Sequence, residues 1–319
     1  MVVALTGRSS TTDAIFVRIT LIHHPAAGDD DQPDGEALMH LLRHHGHTAR
    51  YQSADEDTWP AVLDAPTDLL VVAGGDGTVG RIAKRCIGRD IPLAPLPLGT
   101  ANNISRTLGL VDRTVDEIVE GWKHDRRVSF DAAVAAGPWG SRYFIEAFGV
   151  GLFACTIPVA ERSKALKNLD DADAKVAYAL GMLRDRLHQS PSHRLDMKLD
   201  GRALSGDYVL FEAMNMEFVG PNLHLAPDMD SDDGLLDVVL VTAAERDALE
   251  EPLARWQQGD IDRPNLTACR AAAITLEWTG YEIHIDDEAW PPTDRTGLPD
   301  TAPIELSVVH DAVQFVAPG

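Results

Sequence analysis

Cysteine is scarce in this chain: Cys86, Cys155 and Cys269 are its whole supply in 319 residues. Three scattered cysteines are too few for a disulfide framework or a cysteine-built zinc site, and they fit a reducing cytoplasm. Long apolar runs are also missing. No stretch of about twenty apolar residues occurs, so no transmembrane helix is expected. Positive charge is short as well: 28 Lys and Arg stand against 50 Asp and Glu, a net charge of −22. That balance argues against nucleic acid as a partner and against unaided binding to an anionic membrane. Internal repeats and low-complexity tracts are absent. At the start, Arg8, Ser9, Ser10, Thr11, Thr12 and Asp13 interrupt any signal-peptide core. A short lead before a strand over 14–22 is expected instead.

What is present is an ordinary globular composition, 45% hydrophobic, in a chain long enough for two domains. The most informative stretch is Gly74-Gly75-Asp76-Gly77-Thr78. It follows the apolar run Leu69 to Ala73, and the residues from Val79 to Arg89 have helical spacing. Strand, glycine turn and helix offer backbone N–H groups and a helix N-terminus to phosphate. A carboxylate inside such a turn would repel phosphate unless a cation lies between them, so Asp76 implies a metal-nucleotide. The bland alternative, a tight turn capped by Asp, spends several glycines and their backbone entropy on little. No Gly-Lys-Ser/Thr follows, so this is not a P-loop, and the spacing is not a dinucleotide fingerprint. Arg81, Lys84 and Arg85 share the following helix and read either as added positive potential or as a solvated face.

Strands are expected at Phe16–Ile22, Thr48–Gln52, Leu69–Ala73 and Ile91–Leu96. Helices are expected at Glu36–His45 and, shorter, at Thr58–Leu63. The fourth strand runs into the loop Pro97-Leu98-Gly99-Thr100-Ala101-Asn102-Asn103. Alternation of this kind predicts a parallel α/β domain with ligands beyond the carboxyl ends of its strands. From Val128 the chain becomes dense in strands: Val128–Ala136, Tyr143–Val150, His193–Leu199, Tyr208–Met216, Leu235–Val241, Ala273–Trp278, Tyr281–Ile285, Ile304–Val308 and Val313–Ala317. Helices interrupt at about Ala172–Leu187, with Val176, Leu180 and Leu183 as its buried stripe, and at Thr242–Gln257.

Acidic residues cluster in two further places. Asp228-Met229-Asp230-Ser231-Asp232-Asp233-Gly234 offers oxygen ligands at short spacing, suited to Mg²⁺ or Ca²⁺, or else forms an acidic turn. It is not an EF-hand, because no Glu closes it. Asp286-Asp287-Glu288 ends a strand and could supply a general base. His40, His44, His45 and His47 read as a solvated helix end rather than a metal set.

Taken in order, these stretches resemble the diacylglycerol kinase catalytic family, which includes bacterial lipid kinases and sphingosine and ceramide kinases. His24-Pro25-Ala26-Ala27-Gly28 is similar to the family's Asn-Pro-x-x-Gly. Gly74 to Thr78 is its glycine turn. Pro97 to Asn103 is close to Pro-x-Gly-Thr-x-Asn-Asp. Leu225-Ala226-Pro227, then Asp233-Gly234-Leu235-Leu236-Asp237-Val238, then Asp286-Asp287-Glu288 complete it where the family has Asp-Gly-Glu. The chain departs at His24 for Asn, Asn103 for Asp and Asp287 for Gly, and Val219-Gly220-Pro221-Asn222 is less glycine-rich than usual. A left-handed φ at Asp287 would be one that Asp tolerates better than most residues.

The resemblance implies an N-terminal α/β domain like that of NAD kinase and phosphofructokinase, residues 1–132, possessing a C-terminal β-sandwich-like partner, residues 133–303. The last segment, 304–319, is expected to pack back on the first domain. It implies ATP and Mg²⁺ as cofactors and phosphorylation of a lipid hydroxyl at a membrane surface. A cytoplasmic protein, peripheral to the membrane, is expected; a homodimer is left open. By position, His24, Pro25, Ala26, Ala27, Gly28, Ser53, Gly74, Gly75, Asp76, Gly77, Thr78, Val79, Thr100 and Asn102 would hold nucleotide. Glu288 would be the general base, supported by Asp286, with Asp76 on the phosphates through Mg²⁺ and Asp131 near the reacting centre. Asp230, Asp233 and the backbone of Leu235 match a structural Mg²⁺ site. Two other functions remain in play: a kinase of a soluble acceptor such as NAD, and a silent nucleotide- or lipid-binding homologue.

Overall fold

A computed structural model describes residues 18–27, 32–124, 126–259, 266–292 and 295–318. Gly28, the lead up to residue 17 and the start of the first expected strand lie outside the described residues.

The first half is a parallel α/β layer. Strands Arg18–His23, Thr48–Ser53, Leu69–Gly74 and Leu93–Pro97 pair in the spatial order 48–53, 18–23, 69–74, 93–97, all parallel. Leu69–Gly74 is buried along its whole length, as expected of a strand covered on both faces. Helix Gly35–His44 starts where the Asp34 carboxylate accepts from the Ala37 N–H at 2.8 Å. It buries Leu38, Met39 and Leu42. Helix Asp76–Cys86 begins three residues earlier than its apolar spacing suggests, because Gly75 takes the N-cap and the glycine turn becomes its first turn. Gly74 and Pro97 are register partners, so the two glycine loops leave the sheet side by side.

The second half is antiparallel. Its strands include Arg126–Gly137, Ala147–Gly151, His193–Leu199, Arg202–Met214, Leu236–Thr242, Ala273–Trp278 and Ile283–Ile285, which enclose a separate core containing Phe144, Phe148, Phe211, Trp278 and Trp290. Helices Ala172–Leu187 and Glu250–Gln257 cover one side, bury Leu180, Leu183 and Trp256, and are tied by Arg184 to Glu250 at 3.0 Å. Val176 is only half-buried, at the edge of the stripe.

One strand joins the halves. Ala302–Ala317, expected as two pieces, is continuous and bends at a register shift between Val309 and Val313, where Asp311 has φ 51°. Its beginning pairs with Ala273–Trp278; its end reaches Leu93 through Phe315. Phe315, Val313 and Val316 pack in the first core. Among the described residues, the 15 strands of the main sheet are thus one hydrogen-bonded network.

Candidate active site

Two loops meet at the carboxyl ends of the parallel strands. A Cβ on Gly99 would lie 2.3 Å from the Gly75 Cα, so the backbones touch and only glycine fits there. Asn102, at φ 53°, locks its loop from within: its side-chain oxygen accepts from the Gly99 N–H at 2.9 Å and its amide donates to the Gly99 carbonyl at 2.7 Å. The Asp76 carboxylate accepts from the Ile104 N–H at 2.9 Å and so joins the first loop to the helix after the second. Burial pushes the Asp76 carboxyl up, against the backbone N–H groups that donate to it.

A polar cleft of about 660 Å³ opens beside these loops, lined among others by His24, Ala26, Ala27, Gly75, Gly77, Thr78 and Thr100. Arg81, Lys84, Arg85 and Lys175 supply its positive charge, and Asp55, Asp287 and Glu288 also line it. His24, the residue that stands for the family's Asn, bonds Asp55 at 3.3 Å through Nε2, and its buried Nδ1 has no hydrogen-bond partner. Such an orphan atom in a cleft suits a ligand.

A second cavity, about 250 Å³ and mostly apolar, backs onto the first. Phe153, Thr156, Ile157 and Ala160 from one helix and Ala179 and Leu183 from another form its walls. Val219 and Pro221 lie at one side; Asp76, Asn103, Glu146 and Asp287 form its polar end. Gly77 and Asp287 line both spaces, so the two meet at the glycine turn.

The acidic turn is held with care. Asp286, not Asp287, takes the left-handed backbone, at φ 52°. Its carboxylate accepts from the Ile145 and Glu146 N–H groups at 3.0 and 2.8 Å and from Lys84 Nζ at 2.7 Å. Asp286 is therefore a fastening point, and Asp287 needs no glycine-like backbone. Desolvation and the adjacent Asp286 push the Asp287 carboxyl up. Burial pushes Glu146 well above the usual carboxylate range, aided by Asp76, Asp286 and Asp287. Four carboxyls, those of Asp76, Glu146, Asp286 and Asp287, thus crowd the junction, and a dication arriving with nucleotide would relieve them. Glu288 is exposed and pairs with Arg142 at 3.2 Å. It lines the polar cleft but not the apolar cavity.

Behind the turn lies a fully buried pair. His284 Nδ1 donates to the Asp286 carbonyl at 2.7 Å, and Nε2 meets the Glu212 carboxylate at 2.9 Å. Burial alone would lower His284, but Glu212 and the carbonyl outweigh it and its pKa is raised. Gly149 makes room: a Cβ there would lie 2.2 Å from His284 Nε2.

Other expected site residues fall elsewhere. Val79 is core, and the Ser53 hydroxyl accepts from the Asp55 N–H at 3.3 Å, so it is Asp55 rather than Ser53 that lines the cleft. Pro25 shapes the turn after the first strand without lining the cleft. Asp131 is buried, but its carboxylate accepts from the Gly234 and Asp311 N–H groups at 2.8 and 2.9 Å and pairs with His310 at 2.9 Å. It braces the acidic loop rather than joining Asp76. In that loop Asp233 accepts from the Leu235 N–H at 2.9 Å and lies 3.4 Å from Arg270. Asp230 faces Asp232 and pushes its carboxyl up, which a cation would relieve. Arg270 already answers part of the charge on Asp233. Glu146, Glu212 and His284 carried no signal in the sequence, since each gains meaning only from partners far along the chain.

The family model for the diacylglycerol kinase catalytic domain matches residues 18–135, and that for the YegS C-terminal NAD kinase beta sandwich-like domain matches residues 159–310. A diacylglycerol kinase of Mycobacterium tuberculosis is 25% identical over 295 residues, 89% of this chain and 86% of that one. One from Staphylococcus carnosus is 26% identical, over 85% of this chain and 88% of that one. The crystal structure of a diacylglycerol kinase from Bacillus anthracis superposes with a TM-score of 0.64 at 18% identity, covering 95% of this chain and 97% of that one.

Proposed function

Since the chain belongs to the diacylglycerol kinase catalytic domain family and ends in a YegS-type β-sandwich-like domain, we propose that it transfers the γ-phosphoryl group of ATP to a lipid hydroxyl, on diacylglycerol or a related lipid. The observation that carries this reading is the meeting of a cationic cleft and an apolar cavity at Gly77 and Asp287. A soluble acceptor such as NAD has no need of a cavity walled by Phe153, Ile157 and Leu183. On this reading residues 1–132, completed by 304–319, bind nucleotide and residues 133–303 receive the lipid.

His24, Ala26, Ala27, Gly75, Gly77, Thr78 and Thr100 would hold ATP, with Arg81, Lys84, Arg85 and Lys175 near its phosphates. Mg²⁺·ATP, when bound, supplies the phosphoryl group and neutralises charge at Asp76. The chain's own task is to exclude water, orient the hydroxyl and take its proton. An alcohol is a weak nucleophile near neutral pH, so a carboxylate must accept that proton. Glu288 matches the family's base by position. Asp287 competes for the role because it faces both spaces, while Glu288 is held toward Arg142.

The activity is tested by ADP release with Mg²⁺·ATP and dispersed diacylglycerol, a sphingoid base or NAD. Phosphorylation of lipid is expected; phosphorylation of NAD alone would end the lipid reading, and no turnover with intact ATP binding would favour a silent homologue. Glu288→Gln should bind ATP and lose turnover, whereas Asp287→Gly should keep it. The reverse result would make Asp287 the base.

A further inference from the structure

A different group of donor atoms lies outside both spaces. Cys155 is on helix Leu152–Arg162, His193 opens strand His193–Leu199, and Glu282 immediately precedes strand Ile283–Ile285. One sulfur, one imidazole nitrogen and one carboxylate oxygen from these residues all lie within 4.8 Å of one another. Among the described residues no other set of His, Cys, Asp and Glu converges so closely. All three are half-buried.

Each group is in a suitable state. His193 Nε2 is buried and has no hydrogen-bond partner. Burial pushes the His193 pKa down, with Glu282 opposing. Glu282 gives Oε1 to Arg295 at 2.9 Å, which orients the carboxylate and leaves its other oxygen. Burial, then Glu282, pushes the Cys155 thiol up. A thiolate and a carboxylate together would balance a dication.

We propose that Cys155, His193 and Glu282 form a binding site for a borderline-soft divalent cation of the zinc class, with water in the fourth position. One sulfur, one nitrogen and one oxygen ligand suit tetrahedral zinc. They do not suit Mg²⁺, which prefers an all-oxygen shell in octahedral geometry. On binding, the Cys155 S–H bond breaks, its proton goes to solvent, and the sulfur lone pair forms the bond to the metal. Counting cysteines alone excludes such a site; a mixed set drawn from three separate elements escapes the count. The ion would tie the helix bearing Phe153, Thr156 and Ile157 to the strand that leads into Asp286 and Glu288. It would fix the wall of the apolar cavity relative to the acidic turn, whatever the acceptor proves to be.

The test uses the full chain, freed of metal by chelation and held in millimolar Mg²⁺, titrated with Co²⁺ as a spectroscopic probe. A thiolate-to-cobalt charge-transfer band is expected, saturating at one ion per chain and displaced by Zn²⁺. Cys155→Ser, His193→Gln and Glu282→Gln should each weaken or abolish it, while Cys269→Ser should not. Zn²⁺ should raise the melting temperature of the wild type and of Cys269→Ser only. His193→Gln retains the thiol and a buried polar group, so it reports on ligation even if Cys155→Ser folds poorly. The proposal is overturned if no thiolate band forms, or if the band survives both His193→Gln and Glu282→Gln.

Discussion

At the scale of single residues, the site stores charge that it does not express. Glu146 is 8% exposed and keeps its proton above the ordinary carboxylate range. The unfolded chain releases that proton near 4.5. Between that pH and the raised folded value, the folded state binds more protons than the unfolded one. Stability therefore falls as pH rises through this window. Glu146→Gln should flatten the fall in urea unfolding midpoints measured across the same range; an unchanged slope would mean that Glu146 ionises freely. The His284–Glu212 pair is a second store. His284→Ala would strand a buried carboxylate, at about 3–5 kcal/mol for a buried pair broken from one side. The loss should appear in chemical denaturation, together with a loosened acidic turn. Gly149→Ala should be as harmful through sterics alone, because both partners stand within 2.3 Å of the new methyl group.

At the scale of elements, the glycine loops form one unit. Gly99→Ala would push a methyl group onto the Gly75 backbone, and overpacking of this kind costs about 1–3 kcal/mol. The expected outcome is a raised KM for ATP with a smaller drop in melting temperature; a wild-type KM would show that the loops part without cost. This unit was legible from residues alone, since an apolar run ending in glycines reads as strand, turn and helix. So was helix Ala172–Leu187, whose cap Asp171 and apolar spacing agree. Other elements were hidden for physical reasons. The stretch Tyr143–Val150 reads as one strand but is broken in two, Gly140–Phe144 and Ala147–Gly151. The break is held by Asp286, which takes the Ile145 and Glu146 N–H groups from far along the chain. Helix Leu152–Arg162 follows a strand without a side-chain cap and carries Pro158 inside it, so its apolar start looks like more strand. The expected helix at Thr242–Gln257 divides into a 3₁₀ segment, Ala243–Leu249, opened by a capping box of Thr242 and Glu245, and an α-helix, Glu250–Gln257.

At the scale of the whole molecule, the lipid-kinase reading raises the problem of how a chain with net charge −22 meets a lipid. No described helix is long and apolar enough to cross a membrane. The apolar cavity is walled by helices Leu152–Arg162 and Ala172–Leu187; Arg162, at the end of the first, and Lys164 and Lys167, in the short segment that follows, are exposed. Positive charge grouped over residues 162–167 can act within a Debye length even where the overall charge is repelled. On the lipid-kinase reading, this segment is the contact with an anionic surface. Each Lys near such a surface contributes about 1 kcal/mol, so Lys164→Gln with Lys167→Gln should weaken vesicle binding on the order of thirty-fold. Turnover of detergent-dispersed lipid should change little, because neither lysine lines the cavity or the cleft. Cosedimentation with vesicles containing anionic lipid, at low and high salt, separates the two effects. Equal binding by the double variant and the wild type at low salt would move the membrane contact elsewhere on the surface. A parallel loss in detergent would instead mean that the segment shapes the cavity itself.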